Sequence, residues 1–334
     1  AGAKNAGIKT VYTSEKFIDK LNSKGLDTAA MLQGLNVIYL EDLQKQLPKA
    51  FLLFSFLLTR VLSANAFYRL FGHKVSVNDP AAILFSSGSE GTPKGIVLSH
   101  RNFMANIKQI SDVLKTRDDD VVMGSLPPFH SFGLTVTTFL PLIEGISVVC
   151  HSDPTDVVNI AKAVSRNNVT IMCATATFLR LYSKNKKVQP LMLDSLRIVV
   201  EGAEKLSNDV RGEFHGKFNK VIYEGYGATE TTPVASVNIP DQLDSSDWHV
   251  QVGSKLGTVG LPLPGCSFRI VDPVSRQTLP VNEDGLILIS GTQVMMGYLN
   301  DDEKTRSVIV ELDGRRWYKT GDKGHVDSDG FLTI

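Results

Sequence analysis

ILFSSGSEGTPKGIVLSHRN, residues 83–102, is the most informative part of the chain. Its first residues are apolar or small and are typical of a buried strand, and a helical pattern begins at Asn102. The intervening segment, residues 86–95, combines glycines with serine and threonine hydroxyls and contains Lys94. Glycines let backbone N–H groups approach an anion closely, hydroxyls add donors, and lysine supplies a mobile positive charge. Residues 86–95 are therefore predicted to bind phosphate.

Three common loops do not match this segment. A Walker A loop ends in Gly-Lys-Ser/Thr, whereas Lys94 here follows Pro93. The glycines of the dinucleotide-binding fingerprint have a different spacing from Gly88 and Gly91. A nucleophile elbow needs glycine at the position of Ser87. The kind of phosphate site must therefore be identified from motifs elsewhere in the chain.

Around this segment, short apolar runs such as IKTVY, NVIYL, ISVVCH, VTIMCATAT and residues 196–201 alternate with helical patterns such as TDVVNIAKAVSRN and residues 208–218. Continuous apolar strands alternating with helices predict a parallel sheet covered on both faces. After residue 240 come a polar loop, residues 241–255, and then short strands separated by Gly, Pro and Asp turns. We therefore expect an α/β fold with two domains, an α/β core over residues 1–240 and a mostly antiparallel β subdomain over residues 241–334.

Composition excludes some classes of partner. The 334 residues include 35 basic and 35 acidic side chains, so no net charge would draw the chain to nucleic acid. Cys150, Cys173 and Cys266 form no CxxC pair, and each is predicted to pack as a small apolar group in a reducing compartment. No signal peptide is apparent, and the first residues read as though cut from a longer protein.

Residues 50–71, AFLLFSFLLTRVLSANAFYRLF, form the most hydrophobic stretch. Arg60, Asn65 and Arg69 interrupt it, so the uninterrupted run is too short to span a bilayer. Its apolar residues recur at helical spacing, which favours a helix packed against the core. The alternative is contact with a membrane surface or an acyl chain, with the arginines at the headgroups.

Four further motifs follow the phosphate-binding segment in order. They are GAE at residues 202–204, YEGYGATE at residues 223–230, GTVGLPLPG at residues 257–265 and WYKTGD at residues 317–322. Together the five motifs resemble those of the adenylate-forming superfamily, which includes acyl-CoA synthetases, adenylation domains of peptide synthetases and luciferases. The resemblance covers nearly the whole chain and implies the fold of that superfamily's N-terminal domain.

The resemblance also implies a reaction and a set of site residues. A carboxylate would attack the α-phosphorus of ATP and expel pyrophosphate, and a thiol would then take the acyl group, with Mg²⁺ and lysine neutralising charge. The implied catalytic residues are His130, Lys94, Thr229 and Glu230, with Glu230 as the metal ligand. The residues implied for nucleotide binding are Ser86, Ser87, Gly88, Ser89, Glu90, Gly91, Thr92 and Lys94 at the β- and γ-phosphates, Gly202, Ala203, Glu204, Tyr226 and Gly227 near adenine, Thr229 at the α-phosphate, and Asp322 at the ribose hydroxyls.

Two histidines need separate interpretation. By resemblance His130 lies near the substrate carboxylate and orients substrate or gates thiol entry; the alternative is a packed histidine after two prolines. The acyl pocket is expected around residues 171–178 and Gly202. His151 and Asp156 fit the H-x4-D pattern of glycerolipid acyltransferases, in which Asp orients a histidine base. The H-x4-D pattern fixes only two residues and is therefore weak evidence. It also lies on the loop between a strand and a helix that the α/β fold requires in any case.

Glu90 stands where the superfamily usually has threonine. With LPPFHSFGLT at residues 126–135 and GAEKL at residues 202–206, it makes the chain most similar to the acyl-ACP synthetase half of the bifunctional bacterial 2-acylglycerophosphoethanolamine acyltransferase/acyl-ACP synthetases. The resemblance implies a fatty acid substrate, acyl carrier protein as thiol partner, and a role in phospholipid metabolism.

The same resemblance implies a cellular location for the protein and the absence of two domains from this chain. We expect a cytoplasmic protein, or one on the cytoplasmic face of the bacterial inner membrane, with peripheral membrane contact through a fused acyltransferase half. The upstream acyltransferase domain and the C-terminal lid domain with its lysine are expected to be absent, which would leave this fragment weakly active alone. A fatty acyl-CoA synthetase, a lysophospholipid acyltransferase and a non-catalytic nucleotide- or lipid-binding module are the alternatives.

Overall fold

The computed structural model describes Gly2, residues 6–86 and residues 93–334. The chain divides into two compact units, Ala1–Ser76 and Val77–Ile334. The division after residue 240 that the sequence suggests lies inside the second unit and stays a prediction. Residues 87–92, which carry most of the predicted phosphate-binding segment, lie outside the described residues.

The first unit contains a parallel pair of strands, β1 (Thr10–Thr13) and β2 (Asn36–Tyr39), both predicted from their apolar runs. Its first helix begins at a serine cap, since the Ser14 side chain accepts a hydrogen bond from the Phe17 N–H. Thr28 is the only described residue of this unit that is buried. The helices of the unit are α1 (Glu15–Ser23), α2 (Thr28–Leu32), α3 (Leu40–Gln46), α4 (Lys49–Val61) and α5 (Ala64–Phe71).

Helices α4 and α5 form where residues 50–71 predicted a helix, but the predicted packing against a core is wrong. No residue of either helix is buried, and Phe51 and Phe54 are 54% and 60% exposed. The physical reason is that Thr28 is the only buried residue among the described residues of this unit, so the unit has no hydrophobic core for these helices to pack against. Within the described residues, no helix combines the length and hydrophobicity that crossing a membrane requires.

A seven-stranded sheet forms the centre of the second unit, in the order β13-β10-β9-β8-β7-β5-β6. The five strands from β9 to β6 in this order are parallel to one another. β10 pairs antiparallel with β9, and β13 pairs antiparallel with β10. The strands are β5 (Val121–Gly124), β6 (Ser147–Cys150), β7 (Ile171–Ala174), β8 (Ile198–Glu201), β9 (Ile222–Gly227), β10 (Val234–Val237) and β13 (Leu261–Pro262).

Both faces of this sheet are covered, as predicted. Along β8 the buried Val199 and Val200 belong to two different hydrophobic clusters, because successive side chains of a strand point to opposite faces. The main helices of the unit are α6 (His100–Leu114), α7 (Ser131–Leu134), α8 (Leu140–Glu144), α9 (Val157–Asn167), α10 (Ala176–Lys184), α11 (Asn208–Phe218) and α12 (Asp302–Val308).

The predicted phosphate-binding segment joins two strands of a separate sheet. β3 (Pro80–Ser86) and β4 (Lys94–Ser99) pair antiparallel, with Ser86 opposite Lys94, and β16 (Gly297–Tyr298) pairs with β4. The sequence predicted β3 as a buried strand and did not predict β4. β3 is an edge strand of this sheet, which is why Leu84 is its only buried residue.

The predicted antiparallel subdomain is present. β14 (Ser267–Val271), β15 (Gly285–Ser290), β18 (Arg315–Val326) and β17 (Ile309–Leu312) lie in this order, and β19 (Leu332–Thr333) pairs with β18. The polar loop of residues 241–255 contains a small hairpin of β11 (Gln242–Leu243) and β12 (Val250–Gln251).

The cysteine prediction holds for two of three residues. Cys173 and Cys266 are buried, and burial raises the pKa of each thiol to about 12. The prediction is wrong for Cys150, which is exposed because it ends the edge strand β6 of the central sheet.

Candidate functional site

A cavity of about 530 Å³ lies where parallel strands of the central sheet end. Thr175, Gly202 and Ala228 follow β7, β8 and β9 directly, and all three line it. The carboxyl ends of parallel strands meet at one edge of a sheet, which is where open α/β sheets bind ligands. The cavity brings together predicted residues from two of the five motifs, GAE and YEGYGATE, and His130 from residues 126–135.

The turn of residues 202–204 forms one wall. Ala203 has a φ of 71°, a left-handed conformation that a non-glycine residue adopts only under constraint. The Glu204 carboxylate accepts a hydrogen bond of 2.8 Å from the Thr177 N–H, so the turn is fastened to the start of α10. Gly202 faces the Phe132 ring, which would lie 3.4 Å from any Cβ at this position.

Tyr226 and Asp322 meet, although they are 96 residues apart in sequence. The Tyr226 hydroxyl donates a hydrogen bond of 2.6 Å to Asp322 Oδ2. Burial, together with the Asp322 carboxylate, raises the pKa of Tyr226, so the phenol stays protonated and keeps donating. Gly227 is next in the chain, and a Cβ there would lie 1.8 Å from the Pro233 carbonyl oxygen, so only glycine fits.

Thr229 and Glu230 lie on a short turn after β9. Thr229 lines the cavity, and its hydroxyl lies 3.4 Å from that of Ser131. Glu230 is 9% exposed, and its Oε1 accepts a hydrogen bond of 2.8 Å from the Tyr298 hydroxyl. The Lys94 ammonium lies 5.6 Å from the centre of the Tyr298 ring. Tyr298 thus connects the predicted Lys94 and Glu230.

Sequence reasoning missed Tyr298. Burial and the nearby Glu230 raise its pKa, which keeps the hydroxyl available as a donor to that carboxylate. The segment MMGYLN carries no local signal of this role. The tyrosine reaches Glu230 because β16 pairs with β4, a strand that was not predicted.

The described residues contain no group of three or more His, Cys, Asp or Glu side chains that could hold a metal ion. Mg²⁺ in nucleotide sites is usually held by one or two carboxylates together with phosphate oxygens and water. Glu230 is a carboxylate of the kind that such a site needs.

Glu201 is a buried carboxyl group at the cavity that sequence reasoning did not single out. It ends β8, is 1% exposed, and its Oε1 has no hydrogen-bond partner. Burial, and next the neighbouring Glu224, raise its pKa to about 8, while backbone N–H groups of Ala176 and Glu204 act in the opposite direction. Glu201 is therefore largely protonated at neutral pH.

His130 lines the cavity and is exposed, so the alternative of a packed histidine is wrong. Its ring lies 4.6 Å from that of Phe129, and its backbone N–H donates to the Pro127 carbonyl. Of the segment expected to form the acyl pocket, Thr175 and Phe178 line the cavity together with Thr177. Ile171–Ala174 lies within β7 and does not line it.

His151 and Asp156 do approach each other, with 3.5 Å between Nε2 and Oδ2. Neither is among the residues that line the cavity. Asp156 caps α9 by accepting a hydrogen bond from the Asn159 N–H, and hydrogen bonding by Asn159 lowers the pKa of this carboxyl. Helix capping accounts for Asp156 without a catalytic role.

An α/β sheet with a cavity at the carboxyl ends of its parallel strands defines a ligand-binding α/β domain. The chain belongs to the AMP-binding enzyme family, whose model matches residues 4–299.

Similar proteins include enzymes for different acids. The chain is 34% identical over 262 residues to 4-coumarate–CoA ligase 5 of Oryza sativa subsp. japonica, covering 77% of this chain and 47% of the relative. It is 31% identical over 264 residues to the long-chain-fatty-acid–CoA ligase of Salmonella typhimurium, covering 78% of this chain and 44% of the relative. The chain thus spans about half the length of the curated relatives it matches.

Among solved structures, ATP-bound MatB from Rhodopseudomonas palustris has a TM-score of 0.74 and 26% identity. The match covers 99% of this chain and 59% of MatB. The similarity confirms the predicted fold of an adenylate-forming N-terminal domain with a small antiparallel β subdomain.

Proposed function

We propose that this protein is an AMP-forming acid–thiol ligase that uses ATP and Mg²⁺. The observation that carries the proposal is the hydrogen bond between Tyr226 and Asp322, because it joins two separate nucleotide-binding motifs beside one cavity. Membership of the AMP-binding enzymes supports it. So does the ATP bound to MatB, a protein of the same fold.

In this proposal the cavity holds the adenosine part of ATP. The turn of residues 202–204 and Tyr226 would flank adenine, and Asp322 would accept hydrogen bonds from the ribose hydroxyls. The Asp322 carboxylate is exposed and is oriented by the Tyr226 hydroxyl, so acceptor positions remain for a ligand. Gly227 lets the chain turn toward Thr229 without a side chain in the way.

The reacting groups would lie beside Thr229 and Glu230. Thr229 would donate to the α-phosphate, while Lys94 and Ser86, at the two ends of the phosphate-binding segment, would contact the phosphates beyond it. Glu230 would hold Mg²⁺, which supplies charge neutralisation when bound. His130, exposed at the cavity, would orient the acid carboxylate.

We propose a fatty acid as the substrate and the pantetheine thiol of acyl carrier protein as the acceptor. Apolar lining residues such as Phe132, Phe178 and Val237 suit an acyl chain. The relatives act, by name, on 4-coumarate in one case and long-chain fatty acids in the other, both with coenzyme A. The Glu90 motif is what favours acyl carrier protein, and coenzyme A is the alternative acceptor.

A peripheral membrane contact is part of the proposal. Helices α4 and α5 expose large apolar side chains, and Arg60 and Arg69 lie in their last turns. Apolar faces flanked by arginine suit a membrane interface. We accordingly propose a location on the cytoplasmic face of a bacterial inner membrane, in a role in phospholipid metabolism.

Acid-dependent exchange between ATP and pyrophosphate tests the activity. Because the chain is expected to be weakly active alone, we expect slow but measurable exchange with fatty acids. We also expect the KM for ATP to rise roughly tenfold in Asp322→Asn, because a charge-assisted acceptor becomes a neutral amide. Asp118→Asn, an exposed carboxylate away from the cavity, is the matched control and should change nothing. Absence of exchange with both fatty and aromatic acids would overturn the proposal. Labelled acyl transfer to acyl carrier protein or to coenzyme A then identifies the acceptor.

A further inference from the structure

A second opening in the same unit has a different chemistry. It is a cleft of about 780 Å³ that shares no lining residue with the cavity described above. Five parts of the chain build it: the residue pair before β3, the start of α6, the start of β14, the end of β15 with the segment after it, and the start of β18. We call it the arginine cleft; its residues are Asn78, Ser99, Arg101, Asn102, Gly265, Ser267, Ser290, Gly291, Thr292, Val294, Met296, Arg315 and Arg316.

Every charged side chain that lines the arginine cleft is an arginine. No aspartate or glutamate is among its described lining residues, and none of its three arginines forms an ion pair with a described carboxylate. Arg197, Arg211 and Arg269, outside the cleft, each form an ion pair with a carboxylate. Three arginines without such a carboxylate partner among the described residues therefore line one cleft.

Neutral groups hold two of these arginines in place. Arg101 Nε donates a hydrogen bond of 2.9 Å to the Asn78 side chain, and an Arg316 nitrogen donates one of 2.7 Å to the Met296 carbonyl. A guanidinium has five N–H donors, so most donors of each remain available. Partial desolvation lowers the pKa of Arg316, although the residue as a whole is exposed.

The remaining lining suits an oxyanion. Ser267, Ser290 and Thr292 add hydroxyl groups, and the exposed Gly265 leaves its backbone accessible. Arginine forks match the geometry of phosphate oxygens and bind them bidentately. We propose that the arginine cleft binds a ligand with more than one phosphate group, either a soluble polyphosphate or the headgroups of anionic phospholipids.

The cleft is separate from the proposed ATP site. β4 has Lys94 at one end and Ser99, a cleft residue, at the other, so five residue steps put roughly 17 Å between them. The two regions are nevertheless connected, since Met295 lies between two cleft residues and its N–H donates to the Glu230 carbonyl. The inference does not depend on the proposed ligase activity.

Calorimetric titration with tripolyphosphate tests this proposal in the wild type and in Arg315→Gln and Arg101→Gln. We expect each variant to weaken binding roughly tenfold, because charge-assisted hydrogen bonds are lost. Arg180→Gln, an exposed arginine outside the cleft, is the matched control. Arg315 is exposed beside a turn, so its replacement leaves the fold intact, which circular dichroism verifies.

Lys94→Ala separates the two sites, because tripolyphosphate could also enter the ATP site. Binding that survives Lys94→Ala and falls in the cleft variants supports the proposal. Binding that is lost with Lys94→Ala and unchanged in the cleft variants overturns it. Co-sedimentation with phosphatidylglycerol vesicles, compared with phosphatidylcholine vesicles, identifies the source of the phosphate. If the cleft variants lose binding to phosphatidylglycerol vesicles but not to tripolyphosphate, the ligand is a lipid headgroup. If they lose binding to tripolyphosphate, the ligand is a soluble polyphosphate. No change in either assay overturns the inference.

Discussion

Replacing Glu201 by glutamine should change how the stability of the protein depends on pH. The folded protein holds this proton up to about pH 8, whereas the carboxyl has an ordinary pKa of 4.5 when unfolded. Because the pKa of Glu201 is higher in the folded state than in the unfolded state, the protonated carboxyl makes its full contribution to stability below pH 4.5. This contribution is lost as pH rises from 4.5 to about 8.

The magnitude follows from the two pKa values. A difference of about 3.5 at roughly 1.4 kcal/mol per pKa unit gives a loss of roughly 5 kcal/mol across this interval. Glu201 is 1% exposed, so water screens the group little. Glutamine cannot ionise, so the Glu201→Gln variant lacks this loss and should become more stable than the wild type above pH 8.

Urea unfolding followed by circular dichroism, at intervals from pH 5 to 9, measures the effect. The stability of the wild type relative to Glu201→Gln should fall steadily up to about pH 8 and then level off. Glu283→Gln, an exposed carboxyl on a loop, should show no such trend against the wild type. A constant difference between wild type and Glu201→Gln over the whole range would refute the reasoning.

Two further substitutions test the packing of the second unit. Gly227→Ala places a Cβ 1.8 Å from the Pro233 carbonyl oxygen and should destabilise the protein by about 3 kcal/mol, whereas Gly216→Ala, with open space on α11, should be neutral or stabilising in the same thermal unfolding assay. Arg197→Met should cost about 3–5 kcal/mol in urea unfolding, because it leaves the buried Asp120 carboxylate without its partner; equal midpoints for variant and wild type would contradict this.

Much of the fold follows from patterns within single segments. Helix α11 spans the predicted residues 208–218, since its serine cap and apolar positions are all local signals. β7 and β8 were predicted because strands buried on both faces have continuous apolar runs. β4 was missed because it lies directly between a glycine-rich segment and a helix start, both stronger signals than its own.

The sequence motifs proposed residues for the site, and these remain a prediction, but the motifs did not indicate the contacts between the residues. Tyr226 and Asp322 stand in separate motifs, and nothing in either motif shows that they touch. Tyr298 and Glu201 owe their character to burial and to neighbours from other strands, which no local spacing encodes. The exposure of α4 likewise depends on whether another surface covers it, a property outside its own sequence.

The hairpin within residues 241–255 leaves the body of the unit and returns to nearly the same point. At its base the Gly253 N–H donates to Asp241, the Ile239 N–H donates to the Gly253 carbonyl, and the Lys255 N–H donates to Asn238. A loop whose two ends are hydrogen-bonded together at its base can be treated as an insertion in the fold. The entropic cost of closing such a loop grows only slowly with its length. Lineages could therefore lengthen, shorten or decorate this hairpin without moving the chain that leads from Tyr226 to Asp322.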